Sequence, residues 1–359
     1  MGLSAATATQ EDNNYDRAKE VKQFDDSKLG VKGLLDSGIT TIPRFFLHDP
    51  STLPSPTTTS TAQIPVVDLS DSRSNIVNQV HEASRSWGFF QIINHGVPLE
   101  LLDGVIGSVK GFNEMPTEFK ARYYSREMGR GALFSTNFDL FLSKAASWRD
   151  TLQVKIGSVL PNLEWIPEIC REEVVEWNRQ MVILGETLMG ILSEGLGLET
   201  ERLKKMTCLE SRVLAAHYYP YCPEPDRTVG ITSHTDPGVL TVLLQDQVGG
   251  LQVKHGEEWV DIKPIHGALV INIGDILQMI SNDEYKSVDH RVLANRFQEP
   301  RISIAVFFNP SERETLYGPF PELVSPENPA LYLQFTLSDF MRKLFSKELG
   351  KSLINMFKL

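Results

Sequence analysis

Hydrophobic and polar residues recur with two different spacings along this chain, and the spacing changes near residue 209. Before that point apolar residues recur every three to four positions, which is typical of amphipathic helices. The pattern predicts a charged helical region and a turn within residues 15–38, then longer helices over 73–87, 101–123 and 167–196. Two short apolar strands, "IPVVDLS" and "GFFQIINHG", are predicted among these helices.

Beyond Ser211 the chain consists of short runs rich in β-branched and aromatic residues, separated by Gly, Pro, Asn and Asp. The runs are "RVLAAHYYPYC", "VLTVLLQ", "GGLQVKHGEEWVDI", "GALVINIGD", "KSVDHRVLA" and "RISIAVFFNP". Strands this short at this regular spacing predict a double-stranded β-helix, or jelly-roll, core. The expected fold class is therefore mixed α and β, with a jelly-roll core surrounded by helices.

These patterns divide the chain into five predicted regions. They are an N-terminal extension and linker (1–62), a mostly helical region (63–165), connecting helices (166–208), the jelly-roll core (209–311) and a helical tail (312–359). The Ser, Thr and Pro residues between Ser51 and Ala62 predict an irregular connection at the end of the first region.

Composition narrows the classes of function. The chain has 359 residues, 41% of them hydrophobic, so it can bury a sizeable core. Its net charge of −11, with no cluster of Lys and Arg, disfavours nucleic acid and favours a small-molecule partner. The three cysteines show no C-x-x-C spacing, so neither disulfides nor a thiolate zinc site are expected. With no apolar run of membrane-spanning length and no secretory pattern, we expect a cytoplasmic protein without a membrane partner.

The triplet "HTD" places His234 and Asp236 two residues apart, directly before a β-type run. Side chains at positions i and i+2 of a strand lie on the same face, so the imidazole and the carboxylate would project into one cavity. The alternative is a turn at Asp236-Pro237-Gly238 with no ligand. A further strand offers His290, and two histidines with one carboxylate form the facial triad of non-haem iron(II) oxygenases.

The run "RISIAVFFNP" brings a second kind of chemistry. Alternation places Arg301 and Ser303 on one face of a strand whose other face is apolar. A guanidinium inside a barrel requires an anion, and a ligand carboxylate fits because Arg can bind it in a bidentate manner. The alternative is an ion pair with a protein carboxylate such as Asp275 or Asp289.

A neighbouring strand carries two further polar groups. His217 and Tyr219 share one face of the first barrel strand, and the Tyr219 hydroxyl could donate to the same carboxylate. Either side chain could instead be a core aromatic with a satisfied polar tip.

Several motifs in the same order resemble the plant 2-oxoglutarate and iron(II)-dependent dioxygenases. They are H-T-D at 234–236, His290 in "SVDHRVLAN", R-I-S at 301–303, "YYPYCP" at 218–223 and "WGFFQIINHGVP" at 87–98. The leading "FDDSKLGVKGLLDSGITTIPRFF" further resembles the subgroup of 1-aminocyclopropane-1-carboxylate oxidase homologues, which includes desacetoxyvindoline 4-hydroxylase-like enzymes. His217 and His266 depart from the wider family, which often has Asn and Pro at these positions.

The resemblance implies an enzyme that uses Fe(II), 2-oxoglutarate and O2, with ascorbate as a reductant. His234, Asp236 and His290 would bind the metal, and the co-substrate would bind Arg301, Ser303, Tyr219 and His217; no catalytic residue is expected beyond the metal centre. The implied activity is hydroxylation, demethylation or desaturation of a small plant specialised metabolite, such as an alkaloid, steroidal glycoalkaloid, glucosinolate or benzoxazinoid.

Four residues are predicted to line the substrate pocket. Phe307 and Asn309 share the face of Arg301, and Phe134 and Phe138 come from an irregular aromatic stretch before the barrel. Three other functions stay open at this point: an ascorbate-dependent ethylene-forming type of oxidase, a zinc hydrolase with the same three ligands, and a non-catalytic ligand-binding protein.

Overall fold

The structure of the protein is a computed structural model, and it describes residues 15–54, 62–127, 130–157, 161–346 and 353–359. Most of the predicted connection between Ser51 and Ala62, and the first fourteen residues of the predicted extension, lie outside the described residues. In the described part, no helix is both long and apolar enough to cross a membrane.

Helices occupy mainly the first half of the chain and its end. They are α1 (Arg17–Ser27), α2 (Gly30–Asp36), α3 (Arg73–Ser86), α4 (Leu99–Glu114), α5 (Thr117–Lys120), α6 (Glu168–Gly195), α7 (Asp275–Ile280) and α8 (Leu337–Ser346). The amphipathic spacing explains α3, because Ile76, Val80 and Ala83 recur on one buried face. The Ser72 side chain accepts a hydrogen bond from the Asn75 N–H at the start of this helix.

The strands begin well before the predicted barrel. They are β1 (Val66–Asp68), β2 (Phe89–Ile93), β3 (Ala132–Thr136), β4 (Asp150–Gly157), β5 (Ser211–Tyr219), β6 (Val229–His234), β7 (Leu240–Gln245), β8 (Leu251–His255), β9 (Glu258–Asp261), β10 (Leu269–Ile273), β11 (His290–Leu293), β12 (Arg301–Phe308), β13 (Leu316–Tyr317) and β14 (Phe335–Thr336).

Two sheets form the jelly-roll core. The larger sheet has the order β1-β2-β10-β7-β12-β5-β4-β3, and the smaller has the order β6-β11-β8-β9. Apart from the parallel pair β1 and β2, the neighbouring strands run antiparallel. The expected fold class, a jelly-roll core surrounded by helices, is confirmed.

The two faces of the larger sheet differ in their packing. On the outer face, the alternate residues of β4, β5 and β12 are fully buried in the main core, which also contains residues of α4 and α6. On the inner face, several residues are only partly buried, among them Thr151, Gln153, Val213, His217 and Phe307. The larger sheet therefore has one face sealed by helices and one face open to the barrel interior.

The N-terminal extension packs on the barrel through its own apolar cluster. Val21, Phe24 and Phe46 are buried together with Trp148, and the rings of Phe46 and Trp148 meet edge to face with centroids 4.9 Å apart. The extension is thus part of the folded protein.

Strands β3 and β4 were not predicted from the sequence. Residues 63–165 were expected to be mostly helical, yet this range contributes β1 to β4 to the larger sheet as well as α3 to α5. The inner-facing positions of β4 carry polar side chains, Thr151, Gln153 and Lys155, between buried apolar ones. The alternation of polar and apolar residues in "TLQVKI" is typical of a strand. The prediction of a mostly helical region did not take this pattern into account.

Candidate active site

Three potential metal ligands converge between the two sheets. His234 is the last residue of β6 and pairs across the smaller sheet with His290, the first residue of β11. Asp236 lies in the short loop that leads from β6 to β7. One ligand atom of each residue lies within 4.8 Å of the others, and Asp236 Oδ1 is 3.7 Å from Nε2 of both histidines. The three residues thus form one compact donor set.

Backbone carbonyls orient both imidazoles. The Nδ1 atom of His234 lies 2.9 Å from the Thr232 carbonyl oxygen, and that of His290 lies 3.3 Å from the Val288 carbonyl oxygen. Because a carbonyl can only accept, Nδ1 carries the proton in each ring and the Nε2 lone pair is directed towards Asp236. This arrangement is typical of histidines that bind a metal through Nε2.

The Asp236 carboxylate is held by two side chains of the larger sheet. Its Oδ2 atom accepts hydrogen bonds from Thr241 Oγ1 at 2.6 Å and from Asn272 Nδ2 at 2.8 Å. Burial acts to raise the pKa of this carboxyl, but the two histidines and these hydrogen bonds outweigh it, so the pKa is lowered. The group is therefore an anion whose Oδ1 atom faces the histidines.

The loop that carries Asp236 is fixed by close backbone packing. A Cβ atom on Gly274 would lie 2.2 Å from the Gly238 carbonyl oxygen, so no larger residue fits at this position. The Asp275 N–H donates to the Asp236 carbonyl oxygen at 2.8 Å. These contacts place the carboxylate without relying on a bound ion.

The protonation states suit a divalent metal. Burial, followed by the neighbouring His290, lowers the pKa of His234 to about 4, so this imidazole is neutral near pH 7. Neutral imidazoles and an ionised carboxylate are the forms that bind metals. Two histidines and one carboxylate, with no thiolate, match the donor set of a non-haem iron(II) centre.

A second polar cluster lies on the inner wall of the larger sheet. Arg301 and Ser303 are almost fully buried, Arg301 Nη1 donates to Ser303 Oγ at 3.0 Å, and Nη2 donates to Gln245 Oε1 at 3.0 Å. Arg301 also pairs across the sheet with Tyr219, with the guanidinium carbon 4.9 Å from the ring centroid. The cluster therefore draws on three adjacent strands, β7, β12 and β5.

Polar atoms of this cluster lack protein partners. In the described part of the chain, Arg301 Nε, Tyr219 Oη and Gln245 Nε2 are buried and make no hydrogen bond. Buried donors of this kind are costly unless something accepts from them. A carboxylate placed here would accept from the guanidinium and the phenol together, so the cluster fits one end of a dicarboxylate.

Arg301 forms no direct ion pair with a protein carboxylate in the described part of the chain, and the charge that acts on it from the protein is that of Asp246. No carboxylate among the described residues lies within 4 Å of its guanidinium nitrogens. The Asp275 carboxylate instead accepts from Ser287 and Thr235, and Asp289 accepts from Ser233.

His217 lies beside this cluster. On β5, it pairs with Ser303 of the neighbouring strand β12. Its Nδ1 atom lies 3.0 Å from Thr151 Oγ1 on β4. Burial, and then the positive charges of Arg149 and Arg301, lower the pKa of His217 well below its ordinary value. The ring is therefore neutral and can take part in hydrogen bonds within the cavity.

The four predicted pocket residues occupy different places. Phe307 is partly exposed on the inner face of β12, and Asn309 follows at the end of that strand. Phe134 does not face the cavity: it is fully buried in β3 opposite Leu152, and its ring packs edge to face on Phe112 of α4. This correction follows from β3 being a strand, because alternation turns position 134 towards the helices.

Phe138 lies in the loop after β3 and is 64% exposed. His266 is an exposed residue whose Nε2 atom lies 3.1 Å from Asp103 Oδ1 at the surface.

Three residues of the site were missed by the sequence analysis, namely Thr241, Gln245 and Asn272. Thr241 and Gln245 lie four residues apart in "LTVLLQ" and therefore share a face of β7. Asn272 is a lone amide in the apolar strand "LVINI". A polar residue inside a buried strand was the available signal, because such a group needs a partner.

Comparison with known proteins agrees with this geometry. Residues 210–310 match the 2OG-Fe(II) oxygenase superfamily, and residues 64–164 match the non-haem dioxygenase in morphine synthesis N-terminal family. "1-aminocyclopropane-1-carboxylate oxidase homolog 4" of Arabidopsis thaliana is 46% identical over 349 residues, covering 96% of this chain and 99% of the relative.

Solved structures of oxygenases superpose on the chain. JOX2, in complex with 2OG, Fe and JA, is 32% identical with a TM-score of 0.80, covering 92% of this chain and 97% of JOX2. The dioxygenase for auxin oxidation in rice is 25% identical with a TM-score of 0.69, covering 83% of this chain and 100% of that protein.

The fold, the donor set and these similarities all indicate the same two cofactors, Fe(II) and 2-oxoglutarate. Ascorbate is a typical reductant for such enzymes. The chain belongs to the 2OG-Fe(II) oxygenase superfamily, among the plant 1-aminocyclopropane-1-carboxylate oxidase homologues, and is a 2-oxoglutarate-dependent dioxygenase.

Proposed function

We propose that this dioxygenase hydroxylates, or by the same chemistry demethylates or desaturates, a small plant specialised metabolite. The observation that carries the proposal is the pairing of two sites on the inner walls of one barrel. One is the donor set of His234, Asp236 and His290, and the other is the buried Arg301 cluster with its unpartnered donors.

The protein's own residues would hold both cofactors. His234, Asp236 and His290 bind Fe(II), while Arg301, Ser303 and Tyr219 bind the distal carboxylate of 2-oxoglutarate. His217, next to Ser303 in the sheet, lines the same cavity and contributes a neutral ring. Together, Fe(II) and 2-oxoglutarate supply an oxidant that removes a hydrogen from the substrate, with O2 consumed and succinate and CO2 released.

The barrel supplies orientation and exclusion of water. Thr241 and Asn272 keep the Asp236 carboxylate in one orientation, and the backbone carbonyls do the same for the two imidazoles. The sealed outer face of the larger sheet leaves the inner face as the place where a substrate can bind. We propose Phe307, which is partly exposed on β12, and Asn309, which follows this strand, as residues of the substrate pocket.

The class of substrate is inferred from size and from relatives. A site between the two sheets of a jelly-roll core suits a small organic molecule. JOX2 has been solved with JA, and the rice relative is a dioxygenase for auxin oxidation, so related enzymes accept small plant metabolites. Alkaloids, steroidal glycoalkaloids, glucosinolates and benzoxazinoids are the classes we propose to test first.

The experiment is succinate release from purified protein supplied with Fe(II), ascorbate and 2-oxoglutarate, in the presence of fractionated plant metabolites. We expect succinate to rise with one fraction, and the oxidised product to appear in that fraction by mass shift. The matched control is Asp236→Ala, which lacks one ligand. Oxidation driven by ascorbate without succinate would indicate the ethylene-forming type of oxidase instead, and ligand depletion without oxidation would indicate a binding protein.

A further inference from the structure

The inner face of β4 carries a polar strip that the cofactors do not account for. Leu152, Val154 and Ile156 face the helices and are buried, so Thr151 and the alternate residues that follow it face the barrel. Arg149 directly precedes this strand. Its Nη1 atom donates to the Gly230 carbonyl oxygen of β6 at 3.1 Å, so the guanidinium bridges the space between the two sheets.

Among the residues that the structure describes, Arg149 is buried and has no counter-ion. It is 7% exposed, its Nε atom has no partner, and no carboxylate among the described residues lies within 4 Å of its nitrogens. The adjacent Asp150 points to the opposite face, where it accepts from the Val31 and Lys32 N–H groups. A buried guanidinium with a single carbonyl partner is costly, and an anion would offset that cost.

This arginine faces the cavity of the metal centre. Thr151, two residues further on and on the same side of the chain, contacts the His217 ring through its Oγ1 atom. Continuing the β4–β5 register by one residue places Arg149 beside Tyr219. Arg149 therefore shares the cavity with the proposed ligands.

The Arg301 cluster does not use this group. Tyr219 is on β5, which lies between β4 and β12, and Arg301 is on β12. The backbones of Arg149 and Arg301 are therefore two strand spacings apart, about 10 Å. The two guanidiniums have separate protein partners, Gly230 for Arg149 and the pair Ser303 and Gln245 for Arg301. A carboxylate bound by the Arg301 cluster leaves Arg149 without an anion.

We infer that Arg149 binds a carboxylate or comparable oxyanion of the organic substrate, so that the substrate is an anionic member of the classes proposed above. The inference rests on the proposed function, because it names the chemical class of the molecule that the enzyme oxidises. Arg149 is the specificity-determining residue in this account, since its fork can bind a carboxylate in a bidentate manner.

The test uses benzoate and its uncharged analogue benzamide as probes. Under anaerobic conditions, the protein is loaded with Fe(II) and saturating 2-oxoglutarate, and broadening of the probe proton resonances by the paramagnetic iron is measured. We expect benzoate to be broadened and benzamide to be affected much less. Arg149→Gln should weaken benzoate binding by about tenfold or more.

Matched variants separate a local effect from a change in net charge or in folding. Lys155→Gln removes one positive charge from the same strand at an exposed position and should leave benzoate binding within about threefold of the wild type. Arg149→Lys keeps the charge and should retain a preference for benzoate over benzamide. The visible absorption of the Fe(II) and 2-oxoglutarate complex should be unchanged in Arg149→Gln, which shows that the site is folded.

Several results would overturn the inference: no broadening of benzoate by the wild type, equal broadening of both probes, or unchanged benzoate binding in Arg149→Gln. The succinate assay then addresses the proposed function separately. Metabolites retained by an anion exchanger should contain the substrate, and turnover only with unretained neutral metabolites would overturn the anionic substrate while preserving the dioxygenase activity.

Discussion

At the scale of single residues, each proposed metal ligand has one polar atom held by the protein and another directed at the common centre. Backbone carbonyls hold Nδ1 of the two histidines, and two side chains hold Oδ2 of Asp236. Such outer contacts fix the direction of the ligand atoms before the metal binds. They therefore contribute to metal affinity although they never touch the metal.

Replacing the groups that hold the Asp236 carboxylate should weaken metal binding. Thr241→Val and Asn272→Leu each remove one hydrogen bond to Oδ2, so we expect the affinity for Fe(II) to fall roughly 10- to 100-fold. Anaerobic titration of the metal-free protein measures this directly. Thr241→Ser keeps the hydroxyl and should bind Fe(II) nearly as well as the wild type. Equal affinities in Thr241→Val and Thr241→Ser would argue against an orienting role.

Replacing the ligands themselves should have a larger effect. His234→Ala or Asp236→Ala removes one of three donors, so turnover should be abolished even at high Fe(II) concentration. The measurement is succinate formation at increasing Fe(II). Full activity of Asp236→Ala would remove this residue from the metal centre.

The Arg301 cluster should control the requirement for the co-substrate. Arg301→Ala deletes the charge that faces the distal carboxylate, so the KM for 2-oxoglutarate should rise roughly 30-fold or more. Arg301→Lys retains the charge but loses the planar fork, and its KM should be intermediate. The KM is obtained from succinate formation at fixed substrate, and an unchanged value in Arg301→Ala would place the carboxylate elsewhere.

At the scale of elements, the segment Trp148-Arg149-Asp150 joins the N-terminal extension to the barrel. Trp148 packs on Phe46, and Asp150 accepts hydrogen bonds from two N–H groups at the start of α2 and from Thr136. Between them, Arg149 donates to the Gly230 carbonyl oxygen of β6, across the space between the two sheets. The extension therefore positions a residue of the proposed substrate site from the outside of the barrel.

Asp150→Asn should release α2 from the barrel. The new amide would present N–H groups to backbone N–H groups, so at least one buried donor loses its partner, and we expect a loss of roughly 1–3 kcal/mol in the free energy of unfolding. Urea denaturation measures the loss, and hydrogen exchange should show α2 opening first. The control is Asp26→Asn, which removes only an exposed ion pair with Lys22 and should cost less than about 1 kcal/mol.

Equal stability of Asp150→Asn and the wild type would contradict this account of the junction. Gly30 offers an independent check, because its φ is +69° and a Cβ atom there would lie 2.7 Å from Asp150 Oδ2. Gly30→Ala should therefore also loosen α2, and the two losses should not be additive, since the residues are in contact.

The sequence predicted elements well where the pattern was local. In strands such as β5, β7 and β12 and in the amphipathic helix α3, apolar residues recur with the period of that element. Their type could therefore be inferred from a few neighbouring residues. Strand β3 has no clear alternation, because position 133 on its inner face is as apolar as position 134 on its outer face. Such a strand is recognisable only once its neighbour β4 is known.

At the scale of the whole molecule, the site depends on contacts between residues far apart in the chain. The motif "HTD" and the run "RIS" can be recognised as candidate site residues from the sequence alone. Asn272 and Arg149 acquire a role only when β10 and β4 are placed beside their neighbouring strands. Burial has the same long-range character. It decides that Phe134 belongs to the core, whereas Phe307 stays partly exposed.

Partly buried histidines should make the protein sensitive to acid. Burial lowers the pKa of His48 and of His95, and the Val97 N–H donates to His95 Nδ1, which favours the neutral ring. A group with a lowered pKa in the folded state binds fewer protons than in the unfolded state, so stability falls as pH drops below about 6.5. The contribution is fully present above that pH.

The measurement is the melting temperature of the metal-free protein between pH 7.5 and 5.5, for the wild type and for His95→Gln. The variant should lose less stability over this range, because it lacks one group that must be protonated on unfolding. An identical pH dependence in the two proteins would show that His95 is not one of the groups responsible.

The most direct test of the central claim, that one barrel cavity binds Fe(II) and 2-oxoglutarate together, is an anaerobic titration of the iron-loaded protein with 2-oxoglutarate. We expect a visible charge-transfer band that saturates at one equivalent in the wild type, is absent in Asp236→Ala, and requires far more 2-oxoglutarate in Arg301→Ala. A protein that binds iron but develops no band, or an Arg301→Ala variant that titrates like the wild type, would contradict the account.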